Sequence, residues 1–260
     1  MATTTFTPSM LRGAGTRGIP EIPAGSSFPN LYSMAFDGVD ERIDPDFTTG
    51  TNNVSISCWM KSSESVLYNE SRIAFGARPT TGGSNYSIGR IRSQYATPTE
   101  LNVAVFNTFG TTVLNDGNWH NLVYTLDFTT KEIKAYVDGN TTPVFTYTSN
   151  RASDASTAAL KWGIGWGGSF YAYDGLIDVG AIWESILTAS QITNIYRGET
   201  DGGSGGTNGI PGDLSTFNPV GWWRMGDNDS GTGTTITDQG SGSNDGTLTN
   251  GPTFSTDVPT

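Results

Sequence analysis

Short runs of alternating side chains follow one another along this chain, each closed by a turn signal, and that pattern narrows the fold more than any other feature. Val54-Ser55-Ile56-Ser57-Cys58-Trp59-Met60 sets Val54, Ile56, Cys58 and Met60 on one face, with Ser55, Ser57 and Trp59 on the other. A period of two is the signature of a strand with one face on a core. Similar runs occupy Tyr32–Phe36, Ile73–Gly76, Tyr86–Gly89, Leu101–Phe106, Asn121–Leu126, Ile133–Val137, Val144–Thr148, Lys161–Gly165 and Gly175–Trp183. The dipeptides Asp37-Gly38, Asp116-Gly117 and Asp138-Gly139 mark sharp turns between them, because Gly accepts the positive φ such turns need. Serial short strands predict an all-β, two-sheet antiparallel sandwich and exclude alternating βαβ units. One short helix is predicted after Thr188, where Thr188 and Gln191 form a capping box, Ile192, Ile195 and Tyr196 give an apolar stripe and Gly198 ends it.

Around this block the composition changes. Residues 1–30 carry Pro8, Pro20, Pro23 and Pro29 among Gly13, Gly15, Gly18 and Gly25, a mixture that blocks both helix and ladder. An extended N-terminal arm is expected there, locally basic through Arg12 and Arg17, which are the expected contacts to an acidic partner surface. Residues 31–260 are expected to form the sandwich. Within them, 201–212 is a Gly-rich segment that reads as a flexible linker, and 218–260 is too rich in Gly to close a core alone, so it is expected to fold back onto the same sandwich. No repeat of 20–50 residues is evident, which excludes a propeller or solenoid.

Several function classes fall away on charge and composition. The formal net charge is −11, so nucleic acid and anionic membranes are unfavourable partners. No window is apolar enough to span a bilayer. The single cysteine, Cys58, lies in an apolar run and reads as core packing. The start of the chain, Met1-Ala2-Thr3-Thr4-Thr5-Phe6, lacks a basic segment and an apolar block, so no secretory signal is expected. His120 is the only histidine, with no nucleophile arranged around it in sequence, and it reads as structural. Glycan hydrolysis needs two carboxylates across a sugar; the nearest approach to a Glu-x-Asp-x-Glu strand is Glu199-Thr200-Asp201, which lacks the third acid. The chain is therefore expected not to be an enzyme. A second cluster of interest is aromatic: Trp166, Tyr171 and Tyr173 stand among glycines, where exposed rings could stack on a sugar face. The alternative is that they are core and loop hydrophobes.

Phe36-Asp37-Gly38-Val39-Asp40, the strand Val54–Lys61, Asp116-Gly117-Asn118-Trp119-His120-Asn121-Leu122, the hairpin Ile133–Gly139 and Asp174–Trp183 with the capped helix occur in an order that resembles laminin-G-like domains of the concanavalin A-like lectin/glucanase superfamily. The resemblance covers about residues 31–198 and implies a jelly roll. It also implies one calcium ion at the rim, for which Asp37, Asp40, Asp174 and Asp178 are the candidate ligands and Asp138 a weaker one; the alternative is that these are turn residues before Gly. Two acids alone would bind calcium only weakly, at about millimolar. The tail, Trp222–Asp227, Asp238-Gln239-Gly240 and Asn244–Pro252, resembles the segment that usually precedes the Phe-Asp-Gly strand in that family, which implies a permuted domain. A laminin-G-like domain with such a tail, no signal and no disulfide also resembles structural proteins of marine bacteriophages. The implied role is a virion structural protein, most simply a capsid decoration or surface protein made in the host cytoplasm and docked by its arm to capsid or tail proteins, with self-association left open. The other reading is a carbohydrate-binding, lectin-like module or host-recognition adhesin, on a tail fibre or a cell and extracellular, whose partners are cell-surface glycans.

Overall fold

The structure, a computed structural model, describes residues 28–48, 53–63, 71–79, 86–92, 100–103, 108–109, 114–127, 129–148, 158–164 and 172–260. In chain order the first strands are β1 (Ser33–Asp37), β2 (Arg42–Pro45), β3 (Val54–Lys61), β4 (Ser71–Pro79), β5 (Tyr86–Arg92), β6 (Glu100–Val103) and β7 (Thr108–Phe109). Then come β8 (His120–Asp127), β9 (Glu132–Val137), β10 (Phe145–Thr148), β11 (Ala158–Trp162), β12 (Asp174–Trp183) and helix α1 (Ala189–Tyr196). The last elements are β13 (Gly221–Trp223), β14 (Thr235–Ile236), β15 (Gly246–Thr249) and β16 (Thr253–Ser255). They form two sheets, β10-β9-β8-β3-β12-β1-β16 with β13 also on β12, and β14-β15-β2-β11-β4-β5-β6-β7. The pairings are antiparallel throughout, for example Ile56 opposite Tyr124 and Met34 opposite Ile177. No helix among the described residues is long and apolar enough to cross a membrane.

Alternation explains the packing of β3. Val54, Ile56, Cys58 and Met60 enter the layer between the sheets with Met34, Phe36, Ile43, Phe75, Leu122, Tyr124, Trp162 and Trp223. Burial of each large side chain there contributes about 1.5–3 kcal/mol. Trp59 points the other way and is just as buried, because a second apolar layer lies on the outer face of that sheet: Trp59, Val123, Trp183, Ile192, Ile195, Leu214, Phe217 and Trp222. Helix α1 supplies part of this cover. It begins at the expected capping box, with Gln191 N donating to Thr188 Oγ1 at 3.2 Å and Thr188 N donating to Gln191 Oε1 at 3.0 Å.

Both ends of the described chain are built into the sandwich. β13 pairs with β12, β15 with β2 and β16 with β1. Asp238 organises the turn between β14 and β15 and ties it to β13, since its Oδ1 accepts from Trp222 N and Gly240 N and its Oδ2 from Asn244 N, all within 2.8 Å. The Gly-rich segment 201–212 is tied down rather than free: Gly206 N donates to Glu199 Oε1, Gly209 N to Tyr196 O and Asp201 N to Thr216 Oγ1. Residues 28–30, expected to end the arm, pack on the tail instead. Phe28 stacks on Trp222 with ring centroids 5.9 Å apart, and the Arg224 guanidinium lies 3.8 Å over the Phe28 ring and also donates to Pro29 O.

Strand β12 changes partner halfway along one flank. Residues 174–177 pair with β1 and residues 180–182 with β13, and the register against β3 slips between Asp178 and Ala181. The slip is a bulge, with Val179 at φ +41°. At the join, Asn30 Nδ2 donates to Asp178 Oδ2 at 2.8 Å, and Leu31 N and Tyr32 N both donate to Asp227 Oδ1. Arg224 pairs with Asp227 at 2.9 Å while both side chains are nearly out of water. Burial raises the Asp227 carboxyl against the lowering effect of its amide donors and Arg224.

Candidate functional site: a cleft at the sandwich rim

A cleft of about 450 Å³ opens where the end of β3 meets the start of β12, lined by Lys61, Ser62, Ser63, Gly117, Asp174, Gly175 and Leu176. Its floor depends on two residues. Gly175 sits at φ +146°, and a Cβ there would lie 2.3 Å from Lys61 O, so only Gly lets the two strands approach this closely. Tyr173, beneath it and fully buried, donates its hydroxyl to the same Lys61 O at 2.9 Å. The walls are pinned by Ser62, whose Oγ donates to Asp174 O at 2.8 Å, and by Gly117, whose N donates to Ser62 O at 2.9 Å. The Asp116-Gly117 turn that places Gly117 is closed by Asn118 N donating to Asp116 Oδ1 at 2.9 Å.

Beside the cleft, the C-terminal segment passes over the end of β3. Asp257 Oδ2 accepts from Lys61 Nζ at 2.6 Å and Asp257 Oδ1 from Trp119 Nε1 at 2.9 Å. Burial works to raise the Asp257 carboxyl, but the bonds from Lys61 and Trp119 outweigh it and hold the group below its ordinary value. On the other side of Trp119, His120 is clamped between two carboxylates, with Nδ1 2.8 Å from Asp138 Oδ2 and Nε2 3.2 Å from Asp116 Oδ1. The Asp138 hydrogen bond raises the imidazole's affinity for a proton, against the lowering effect of burial. His120 thus ties the Asp116-Gly117 turn to the Asp138-Gly139 turn.

The four acids expected as one calcium site are not one cluster. Asp37 and Asp174 face each other as the last pair of the β1–β12 ladder. Asp37 Oδ1 accepts from Val39 N at 2.8 Å, a turn role, and Asp40 lies in the same turn. Asp178 is a correction: it is fully buried at the β12 bulge, with Oδ1 accepting from Val179 N and Oδ2 from Asn30, and burial pushes its carboxyl well up. Among the described residues, no three His, Cys, Asp or Glu side chains gather into a group that could hold a metal ion. Tyr173 is a second correction, since a fully buried ring packed edge-on to Phe36 at 6.3 Å offers no face to a sugar. Trp166, Tyr171, Arg12 and Arg17 lie outside the described residues. Lys61, Ser63, Trp119 and Asp257 were not among the sequence candidates. Trp119 stood inside a recognised motif, but nothing in its spacing marked it as a rim residue.

Two antiparallel sheets packed face to face, with a cleft at their rim, define a lectin-like sandwich. The chain belongs to the concanavalin A-like lectin/glucanases superfamily, which matches it over residues 37–193. Among solved structures it is similar to a candidate carbohydrate-binding protein from Bacteroides ovatus, at 17% identity and a TM-score of 0.60, covering 88% of this chain and 61% of that one. This chain therefore spans about three fifths of that protein's length. It is also similar to a heptameric pentraxin from Limulus polyphemus (12% identity, TM-score 0.48, 64% of this chain and 82% of that one). A third is domain 4 of an extracellular arabinanase from Geobacillus stearothermophilus, in complex with arabinotriose (21% identity, TM-score 0.47, 62% and 75%). No relative among curated proteins matches the chain.

Proposed function

We propose that this chain is a non-catalytic carbohydrate-binding module and that its saccharide sits in the rim cleft. The observation that carries the reading is the cleft itself: about 450 Å³, within the range of small-ligand sites, with Ser63, Asp174 and Leu176 in its lining. Such a lining offers hydrogen bonds to ring hydroxyls and an apolar patch to a C–H face. Membership of a lectin/glucanase superfamily and the likeness to the Bacteroides ovatus protein support the same reading. A binding role fits better than hydrolysis, because glycoside cleavage uses a pair of carboxylates across the bond and the described residues of the lining hold one, Asp174. The module reading is preferred to the virion-surface reading, which came from the resemblance of a laminin-G-like domain with this tail, no signal and no disulfide to phage structural proteins; of the arm expected to dock it, residues 1–27 lie outside the described residues and 28–30 pack on the sandwich.

A glycan array followed by titration of the retained sugar tests it. One open cleft of this size fits a Kd of about 0.1–1 mM, or roughly 4–5.5 kcal/mol. Ser63, exposed at the mouth, can be changed to Trp without touching the core, and Ser63→Trp should weaken binding by about tenfold or more. An array with no retained sugar, or undiminished binding by Ser63→Trp, would defeat the assignment.

A further inference from the structure

We infer that Lys61 and Trp119 form a carboxylate seat at the edge of the cleft, that the chain fills this seat with its own Asp257, and that the cleft therefore admits neutral saccharides and turns acidic ones away. The inference rests on the reading of the cleft as a saccharide site. The geometry is that of a bound carboxylate. Each oxygen of Asp257 has its own donor, an ammonium at 2.6 Å and an indole N–H at 2.9 Å, and charge-assisted bonds of this length are strong ones. The segment is held from behind as well, with Ser33 Oγ donating to Asp257 O at 2.6 Å and Asp257 N donating to Ser255 Oγ at 3.1 Å. The carboxylate is thus delivered by a fixed backbone and competes with any free anion at high effective concentration.

Among the described residues of the cleft lining, Lys61 is the one cation and Asp174 the one anion. With Asp257 seated, the charge on Lys61 is already spoken for. A uronic acid entering the cleft would find, among the described lining residues, a lysine already paired, with two carboxylates nearby and a chain of net charge −11 behind them. A neutral sugar needs only the hydroxyl and carboxylate groups of the walls, which Asp257 leaves untouched. The side chain of Asp257 is 46% exposed, so its removal need not disturb the core.

The test uses the full chain, labelled with nitrogen-15, and follows the Trp119 indole N–H, identified among seven tryptophans by its loss in Trp119→Phe. The probes are acetate, trigalacturonate and its methyl ester, which share one backbone and differ in charge. In the wild type the ester should shift the Trp119 signal at a concentration about tenfold below that at which the free acid does, and acetate should leave it unmoved. In Asp257→Ala, acetate should shift it and the free acid should gain about tenfold in affinity, one decade being the least a lost competing charge-assisted bond should yield. Adding Lys61→Met to Asp257→Ala should abolish both gains. An unmoved signal on adding acetate to Asp257→Ala, or equal binding of acid and ester by the wild type, would overturn the inference. If acetate seats in Asp257→Ala while neither trisaccharide binds either protein, the carboxylate seat stands and the saccharide reading of the cleft falls.

Discussion

Replacing Trp223 by Ala measures how far the tail belongs to the core. Trp223 is fully buried, stands edge-on to Trp162 at 5.8 Å and donates its Nε1 to Asn244 O at 2.8 Å. Truncating a core Trp to Ala costs about 3–5 kcal/mol, and stripping the Asn244 carbonyl of its donor adds about 1 kcal/mol. The sum, about 4–6 kcal/mol, is a large share of the roughly 5–15 kcal/mol that holds a typical domain. At about 2–4 °C per kcal/mol for a chain of this size, the Tm should fall by roughly 10–20 °C. Trp223→Phe keeps most of the ring but loses the N–H, and should cost about 1–2 kcal/mol. Far-UV circular dichroism in urea and calorimetry both avoid reliance on the deleted fluorophore. One transition at a lowered midpoint is expected. A loss under about 1 kcal/mol, or an early separate transition with the main one unmoved, would show that the tail is an appendage and refute the shared core.

Three further outcomes follow from the geometry. His120 holds a proton more tightly when folded than when unfolded, so its contribution to stability is full below the unfolded value of about 6.5 and is lost as pH rises through the folded value. The wild-type Tm should therefore drop more steeply from about pH 6 to about pH 8.5 than that of His120→Gln; parallel curves would dismiss the clamp. Arg224→Met leaves Asp227 buried without its cation and should cost about 3–5 kcal/mol in urea titration, part of which Asp227→Asn should restore in the double variant; additive losses would mean that the pair is not coupled. Gly175→Ala drives a methyl against Lys61 O and should collapse the yield of soluble protein, whereas an unchanged Tm would show that the cleft floor is looser than described.

The sandwich and its helix were legible because they rest on local chemistry. The alternation of Val54 to Met60 sorted Val54, Ile56, Cys58 and Met60 into one layer, and Thr188 with Gln191 marked the start of the helix. What alternation could not show was that the second face of β3 is covered too. Ser55 looked like a solvent-side residue, yet it is buried, donating to Ser185 O and accepting from Leu187 N. The misreadings at the site have similar causes. Asp178 falls in a regular run, and nothing nearby in sequence announces the bulge or the Asn30 side chain 148 positions away that takes it into the interior. Tyr173 shared the glycine-rich surroundings of a loop, but its hydroxyl is committed to the strand end beneath Gly175. Asp257 carried no signal, because its meaning lies wholly in partners 196 and 138 positions upstream.

The bond from Ser33 to Asp257 joins residues 224 positions apart, and β1 lies beside β16. A loop that long is closed at an entropic cost that grows only with the logarithm of its length, yet it cannot close before its far end exists. During synthesis the outer edge of β1 therefore stays bare until β16 has left the ribosome. Every nascent chain would pass through that half-finished state, and a truncated product would stay in it, its open strand edge ready to pair with a neighbour.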